Sequence, residues 1–308
     1  MNILVIGSTG FLGKKIVEFL NLNKFIVGHF ARKKPKEEKD NPFFFEGDIT
    51  KRESLFRPII WADIVIMNAG LVSYNKKDAE KLRNIHVKGT RNVVDITGKK
   101  EKKLIYTSSA AVLGPSLIAK KEDELSYIHQ IRELNSAYFL TKYVAENIVA
   151  KSELDAIILR PGSLIGNGKT STSKIIDAVK KGFTPDFKGG ASFADVSSVA
   201  ESYVASVRRL LKRKSQLVET FNLGGENLKF SEFIDKIKLS LNKKTISVPY
   251  SLLTAYTKLC DFSSAFGNMT SEALSITDNF FFVDSGKAIS ELGYKITPVE
   301  KIISENHK

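Results

Sequence analysis

Three features of the sequence predict an α/β protein: a doubly wound parallel sheet, helices on both faces, and a smaller C-terminal lobe. Short apolar runs alternate with helical periodicity as far as Gly162. A glycine-spaced turn joins the first strand to the first helix. Beyond Gly162 the alternation is lost, and Gly166, Gly168, Gly182, Pro185, Gly189 and Gly190 crowd together. The length, 308 residues, fits one large α/β unit or about two domains, and is enough to build a core without disulfide or metal.

Asn2–Ile6 is apolar and ends at Gly7, so it reads as the first strand. Gly13–Asn21 is helical, with Ile16, Val17, Phe19 and Leu20 on one stripe. Phe25–Ala31 is the second strand, Phe43–Phe45 the third, closed by Gly47-Asp48, and Asp63–Asn68 the fourth, closed by Ala69-Gly70. Lys76 to Thr97 reads as one long helix. Lys103–Ser108 is the fifth strand. Asn135 to Lys151 is a helix capped by Asn135 or Ser136. Ala156–Leu159 is the sixth strand, stopped by Arg160-Pro161-Gly162. Later, Val196–Leu211 and Phe230–Leu241 read as helices and Thr220–Leu223 as a strand.

Composition excludes several classes. The chain is 43% hydrophobic and 26% charged, which is globular rather than disordered. Cys260 is the one cysteine, so neither an intrachain disulfide nor a cysteine zinc site can form, and a reducing cytoplasm is the expected compartment. His29, His86, His129 and His307 make no H-x-x-x-H pair, so no metal site is expected. The most apolar stretch, Ile59 to Val72, is broken by Asp63 and Asn68, so no transmembrane helix is expected; the first residues do not read as a signal peptide. The net charge of +13 is spread along the chain without an arginine–aromatic array, so it reads as solvated lysine faces rather than a nucleic-acid surface.

The turn Gly7-Ser8-Thr9-Gly10-Phe11-Leu12-Gly13 lies between the first strand and its helix. Gly7 permits the tight turn, Gly10 lets backbone approach a pyrophosphate, and Gly13 lets helix and strand pack closely. The phosphates would sit on the helix N-terminus, as in a Rossmann-type nucleotide domain. The second strand ends His29-Phe30-Ala31-Arg32-Lys33-Lys34, with no carboxylate for a ribose 2′-hydroxyl. Arg32 and Lys33 suit a 2′-phosphate, so NADP(H) is expected in preference to NAD(H), which the loop can also hold.

Tyr138 and Lys142 stand four apart on the predicted helix, so phenol and ammonium share one face. A free tyrosine has a pKa of about 10, and a neighbouring positive charge should lower it. Ser109, at the carboxyl end of the fifth strand, faces the crevice where such sheets bind ligands. There it can hydrogen-bond a substrate oxygen while Tyr138 transfers a proton.

In this order the motifs resemble an extended short-chain dehydrogenase/reductase of the NAD-dependent epimerase/dehydratase type. The likeness runs through Gly7–Gly13, Gly47-Asp48-Ile49, Asn68-Ala69-Gly70, Val87–Val93, Ser108–Gly114, Tyr138–Lys142 with Ala145-Glu146, Arg160-Pro161-Gly162, Phe221–Gly225, and Lys287 with Leu292-Gly293-Tyr294. Its wording is closest to the dihydroflavonol-4-reductase-like branch, which includes hopanoid-associated sugar epimerase-like proteins. The resemblance implies that Thr9, Phe11 and Leu12 of the loop, Asp48, Ile49, Ala69 and Gly70 line a cofactor, with Asp48 at the adenine. It places Pro161 and Ser163 near the nicotinamide carboxamide, and homodimers are the family habit. The domains implied are a nucleotide unit over 1–165, with 193–225 returning to it, and a substrate lobe from 166–192 and 226–308.

The sequence also departs from that family. His86 stands where asparagine is usual, and a structural role is expected for it. Ser197 and Ser198 replace the aspartates of a common Val-x-Asp-Asp-Val-Ala signature. No arginine precedes Phe193, where nucleotide-sugar enzymes often hold a diphosphate. These departures favour NADPH-dependent reduction of an aldehyde or ketone by Ser109, Tyr138 and Lys142. A nucleotide-sugar epimerase with tightly held cofactor and a non-catalytic NADP(H) sensor are the alternatives. Residues 115–134 and 166–190 are expected to form the substrate pocket.

Overall fold

The computed structural model describes residues 1–123, 128–262 and 269–306. In chain order the first half comprises β1 (Asn2–Ile6), α1 (Phe11–Leu22), β2 (Ile26–Ala31), β3 (Phe44–Glu46), α2 (Glu53–Trp61), β4 (Ile64–Met67), α3 (Ala79–Leu82), α4 (Gly89–Lys99), β5 (Lys103–Thr107), β6 (Ser116–Lys120), α5 (Ile128–Glu133) and α6 (Ala137–Ala150). The second half comprises β7 (Ala156–Pro161), β8 (Ser163–Ile165), α7 (Ser171–Lys180), β9 (Phe183–Pro185), β10 (Gly190–Asp195), α8 (Val196–Lys212), β11 (Val218–Leu223), β12 (Glu226–Lys229), α9 (Phe230–Leu241), β13 (Ile246–Val248), α10 (Tyr250–Phe262), α11 (Ser271–Ile276), β14 (Phe280–Val283), α12 (Gly286–Leu292) and α13 (Val299–Asn306).

Seven parallel strands form the main sheet in the order β11-β7-β5-β4-β1-β2-β3. The strands are buried on both faces and therefore read as unbroken apolar runs such as Ile3–Ile6 and Ile64–Met67. On one face α1 and α8 bring Ile16, Leu20, Val199 and Tyr203 into the core. On the other, α2, α4 and α6 contribute Leu55, Ile59, Val93, Ile96, Ala145 and Val149. The strand order reverses between β1 and β4, which opens a crevice at the carboxyl ends of the strands.

A second sheet, β12-β10-β14-β6 with β8 beside β10, stands at that carboxyl end, and β9 pairs with β13. It crosses the expected boundary at 165, because β6 and β8, neither of which extends past that residue, belong to it. Strand pairing across long sequence separations decides this, and no local pattern announces it.

Several elements differ from the sequence reading. The expected helix from Lys76 to Thr97 is a 3-10 turn at Lys76–Asp78, then α3, a wide π turn at Arg83–Lys88 and α4. The π turn swings His86 inward. Neither Asn135 nor Ser136 caps α6 through its side chain: Asn135 is left-handed at φ 47°, and the Ser136 side chain makes no cap bond. The β7 strand runs on through Arg160 and Pro161 instead of stopping at Leu159, because Leu223 of β11 pairs beside Pro161. The α2 helix carries Pro58 inside it, which hid it from periodicity.

The Gly7–Gly13 turn is tight for a steric reason. Gly7 has φ +89°, and a Cβ on Gly13 would stand 2.1 Å from the Gly7 carbonyl oxygen. Gly13→Ala should therefore push α1 off β1, lowering stability by about 1–3 kcal/mol in urea unfolding. An unchanged midpoint would show that the turn relaxes freely.

Candidate active site

The crevice at the sheet's carboxyl end continues between the two sheets as one cleft of about 2310 Å³. Gly7, Thr9, Gly10, Phe11 and Leu12 line it at the turn into α1. Arg32, Asp48, Ile49, Ala69, Gly70, Ser109, Tyr138, Lys142, Pro161 and Ser163 line it further along. Of the residues expected in a site, Gly13 and Lys33 are off the wall. Gly13 is buried against Gly7, and Lys33 is exposed on the turn after β2.

Asp48 also shapes its own turn. Its Oδ1 accepts hydrogen bonds from Thr50 N at 2.8 Å and Thr50 Oγ1 at 2.9 Å. One carboxylate does approach the end of β2: Glu46 Oε2 accepts from Lys34 N at 3.0 Å, but Glu46 does not line the cleft.

Tyr138 and Lys142 project from α6 into the cleft and both are buried. The Lys142 ammonium donates to the Thr107 carbonyl oxygen at 3.0 Å and lies 5.6 Å from the centre of the Tyr106 ring. Burial lowers its pKa to about 8, against an opposing pull from Glu146. The expected lowering of the Tyr138 pKa is not found. Burial drives the phenol upward, opposed by its hydrogen bond with Ser109. Desolvation prevails because the whole phenol is packed: Tyr74 lies edge-on at 5.5 Å and His86 at 5.9 Å. Tyr138 is thus held as a neutral acid.

His86 explains part of this packing. Its Nε2 accepts from Leu71 N at 3.1 Å, so the proton sits on Nδ1, which donates to Thr141 Oγ1 at 2.9 Å. Thr141 lies on α6 between Tyr138 and Lys142, so the imidazole ties α6 to the exit of β4. Burial first, then the Lys142 charge, lowers the His86 pKa to about 3. A folded pKa below the unfolded value of a base makes protonation favour unfolding. Between about pH 6.5 and 3, wild type should lose about 1.4 kcal/mol per pH unit relative to His86→Asn. Parallel urea titrations of the two proteins across pH 6.5 to 5 check this, and equal slopes would refute it.

Arg160 and Glu146 were not singled out from sequence as site residues. Arg160 Nε donates to Glu146 Oε2 at 3.0 Å and Nη2 to Oε1 at 2.7 Å, both side chains being buried. The pair pins α6 to β7 directly behind Lys142. The signal was available in the spacing, since Tyr138, Lys142 and Glu146 are four apart and share one face.

The residues present fit a dinucleotide. The N-cap of α1 is Gly10, so no side chain occupies the first turn's N–H groups. The hydroxyls of Ser8 and Ser108 are buried without a partner among the described residues. Lys142 has donors beyond the one given to Thr107.

The profile of the NAD dependent epimerase/dehydratase family matches residues 3–184. The chain belongs to that family. Within it, the sterol-4-alpha-carboxylate 3-dehydrogenase, decarboxylating, of Saccharomyces cerevisiae is 28% identical over 246 residues, 71% of this chain and 69% of the yeast protein. UDP-glucose 4-epimerase of Vibrio cholerae is 24% identical over 266 residues, 80% of this chain and 78% of that one. In fold, the UDP-glucose 4-epimerase of Thermus thermophilus, solved with NAD, superposes with a TM-score of 0.73 at 18% identity over 99% of this chain and 97% of that one. The chain is therefore an extended short-chain dehydrogenase/reductase with a Rossmann-like sheet, from a family of NAD-dependent enzymes. Among its described residues no helix is long and apolar enough to cross a membrane.

Proposed function

We propose that this family member reduces an aldehyde or ketone with NADP(H) and runs the reverse oxidation of the alcohol. The observation that carries this reading is the Tyr138 phenol, buried in the cleft and kept protonated beside Ser109 and Lys142. When bound, the reduced nicotinamide supplies hydride to the carbonyl carbon. Tyr138 Oη gives its proton to the carbonyl oxygen as that oxygen gains the electron pair. Ser109 Oγ donates a hydrogen bond to the same oxygen. The Lys142 ammonium steadies the phenolate left behind, and its remaining N–H groups would hold the ribose of a bound cofactor.

The cofactor preference rests on Arg32, which lines the cleft at the end of β2, where no cleft-lining carboxylate accompanies it except Asp48. Asp48 is committed to Thr50. One charged phosphate contact is worth about 1.5–3 kcal/mol, so Arg32→Ala should weaken NADPH about ten- to hundred-fold and NADH hardly at all. Fluorescence titration of both cofactors checks this; tighter NADH than NADPH in wild type would sink the preference.

The relatives include both dehydrogenases and epimerases, so the deciding experiment is a carbonyl screen that follows NADPH oxidation. Net consumption supports the reductase. Copurified, non-exchanging cofactor with interconversion of a sugar nucleotide and no net consumption assigns the epimerase. Binding without turnover of either kind assigns a sensor.

A further inference from the structure

The cleft has a second half that the dinucleotide does not account for. Ligand sites usually measure about 300–1,000 Å³, and this one is about 2310 Å³. Beyond Tyr138 two apolar clusters make up much of the wall, beside polar residues such as Thr270, Ser271 and Glu272. The first holds Tyr138 and Phe139 with Ile276 and Phe281 packed on it; the Phe139 and Phe281 rings are 5.3 Å apart. The second holds Phe187, Leu253 and Leu274, with Phe230, Val248 and Met269 packed on it. The α11 helix joins them, since Leu274 belongs to the second and Ile276 to the first. Phe139, Ile276, Phe281, Phe187, Leu253 and Met269 all line the cleft.

A nucleotide sugar needs fixed cationic forks for its diphosphate. Arg32 is the one arginine lining the cleft among the described residues, and it stands at the nucleotide end, directly after β2. Apart from Lys142 beside Tyr138, the lysines on the wall (Lys76, Lys77, Lys81, Lys169 and Lys174) are all exposed. Hydrocarbon walls whose cations, Lys142 excepted, stay in water reward hydrocarbon, at about 25 cal/mol per Å² removed from water.

We propose that the substrate is a carbonyl compound, or the matching alcohol, with an extended hydrocarbon body. Its oxygen lies at Ser109 and Tyr138, and its body runs over Phe139 and Phe281 toward Phe187, Leu253 and Met269. This rests on the reductase reading for the chemistry, but the binding surface stands on the apolar wall alone.

The test uses the full chain with NADPH and the straight-chain aldehydes from propanal to dodecanal, kept below their micelle or phase limits. One buried methylene is worth about 0.8 kcal/mol, so kcat/KM should rise up to about fourfold per added CH₂ until the wall is filled. Phe187→Asp and Met269→Lys, made separately, should flatten that dependence. A flat or falling series, with short aldehydes still turned over, overturns the hydrocarbon class and leaves the reductase standing. If no aldehyde is turned over, calorimetric titration of the matching alcohols onto the NADP⁺-loaded protein decides. Affinity that climbs with chain length keeps the class and removes aldehyde reduction. Affinity independent of length, or weaker than that of UDP-glucose, overturns the class.

Discussion

Tyr138→Phe should lower turnover by about 10²–10⁴-fold while leaving NADPH affinity nearly intact, the usual worth of one positioned acid. The phenol oxygen is the group assigned to the proton, whereas the ring is part of the packing: Tyr74 and Phe139 both meet it edge-on, at 5.5 and 5.7 Å. Phenylalanine keeps those contacts and removes only the hydroxyl. Burial holds the phenol above its usual pKa, so wild type is already in the donor form at neutral pH. The measurement is kcat on the best aldehyde from the screen, together with cofactor affinity. Full activity in the variant would falsify the assigned acid. A matching loss of cofactor binding would mean that the ring, not the hydroxyl, was the part that mattered.

Glu146→Ala should cost about 3–5 kcal/mol of stability, the largest single loss expected outside the hydrophobic core. The substitution leaves the Arg160 guanidinium buried, with, among the described residues, only the Glu122 carbonyl oxygen at 2.9 Å and Asn222 Oδ1 at 3.5 Å in reach. Coulombic attraction to the missing carboxylate is lost, and desolvation of the guanidinium is not. Replacing both partners by methionine should recover much of the loss, because an apolar pair of similar volume carries no such penalty. Urea unfolding of the single and double variants checks both statements. A single-variant loss below about 1 kcal/mol would mean that water reaches Arg160 and solvates it. The same variant removes the carboxylate that supports the Lys142 charge, so Lys142 should titrate below its present value of about 8. Because the protonated Lys142 is the form that steadies the phenolate, kcat should rise as pH falls through that value, and the midpoint should move down in the variant.

The half of the cleft around the glycine turn was legible because it is built from local pattern. The strand Asn2–Ile6 feeds a glycine turn and a helix, and each step follows from steric rules acting within a few residues. Tyr138 and Lys142 share a face because a helix repeats every 3.6 residues. The helix Phe230–Leu241 was read to the residue for the same reason. The substrate half was legible only in part. Of residues 115–134, Leu134 alone among the described residues lines the cleft, while 166–190 contribute Lys169, Phe183 and Phe187 among others. Val248, Leu253, Met269 and Phe281 went unread, because they come from elements that meet only when the second sheet and α10 pack.

Order and spacing along the chain were enough for the doubly wound sheet, the glycine turn, the succession Ser109–Tyr138–Lys142 and the family to which the chain belongs. The electrostatics were set by packing. Whether a lysine lowers a tyrosine's pKa depends on how much water both retain, and here burial of Tyr138 wins. Packing also made His86 neutral and tied it to Leu71 and Thr141, and it paired Arg160 with Glu146 in the interior. Desolvation and long-range pairing are sums over neighbours brought together from distant parts of the chain, and spacing along the sequence carries no record of them.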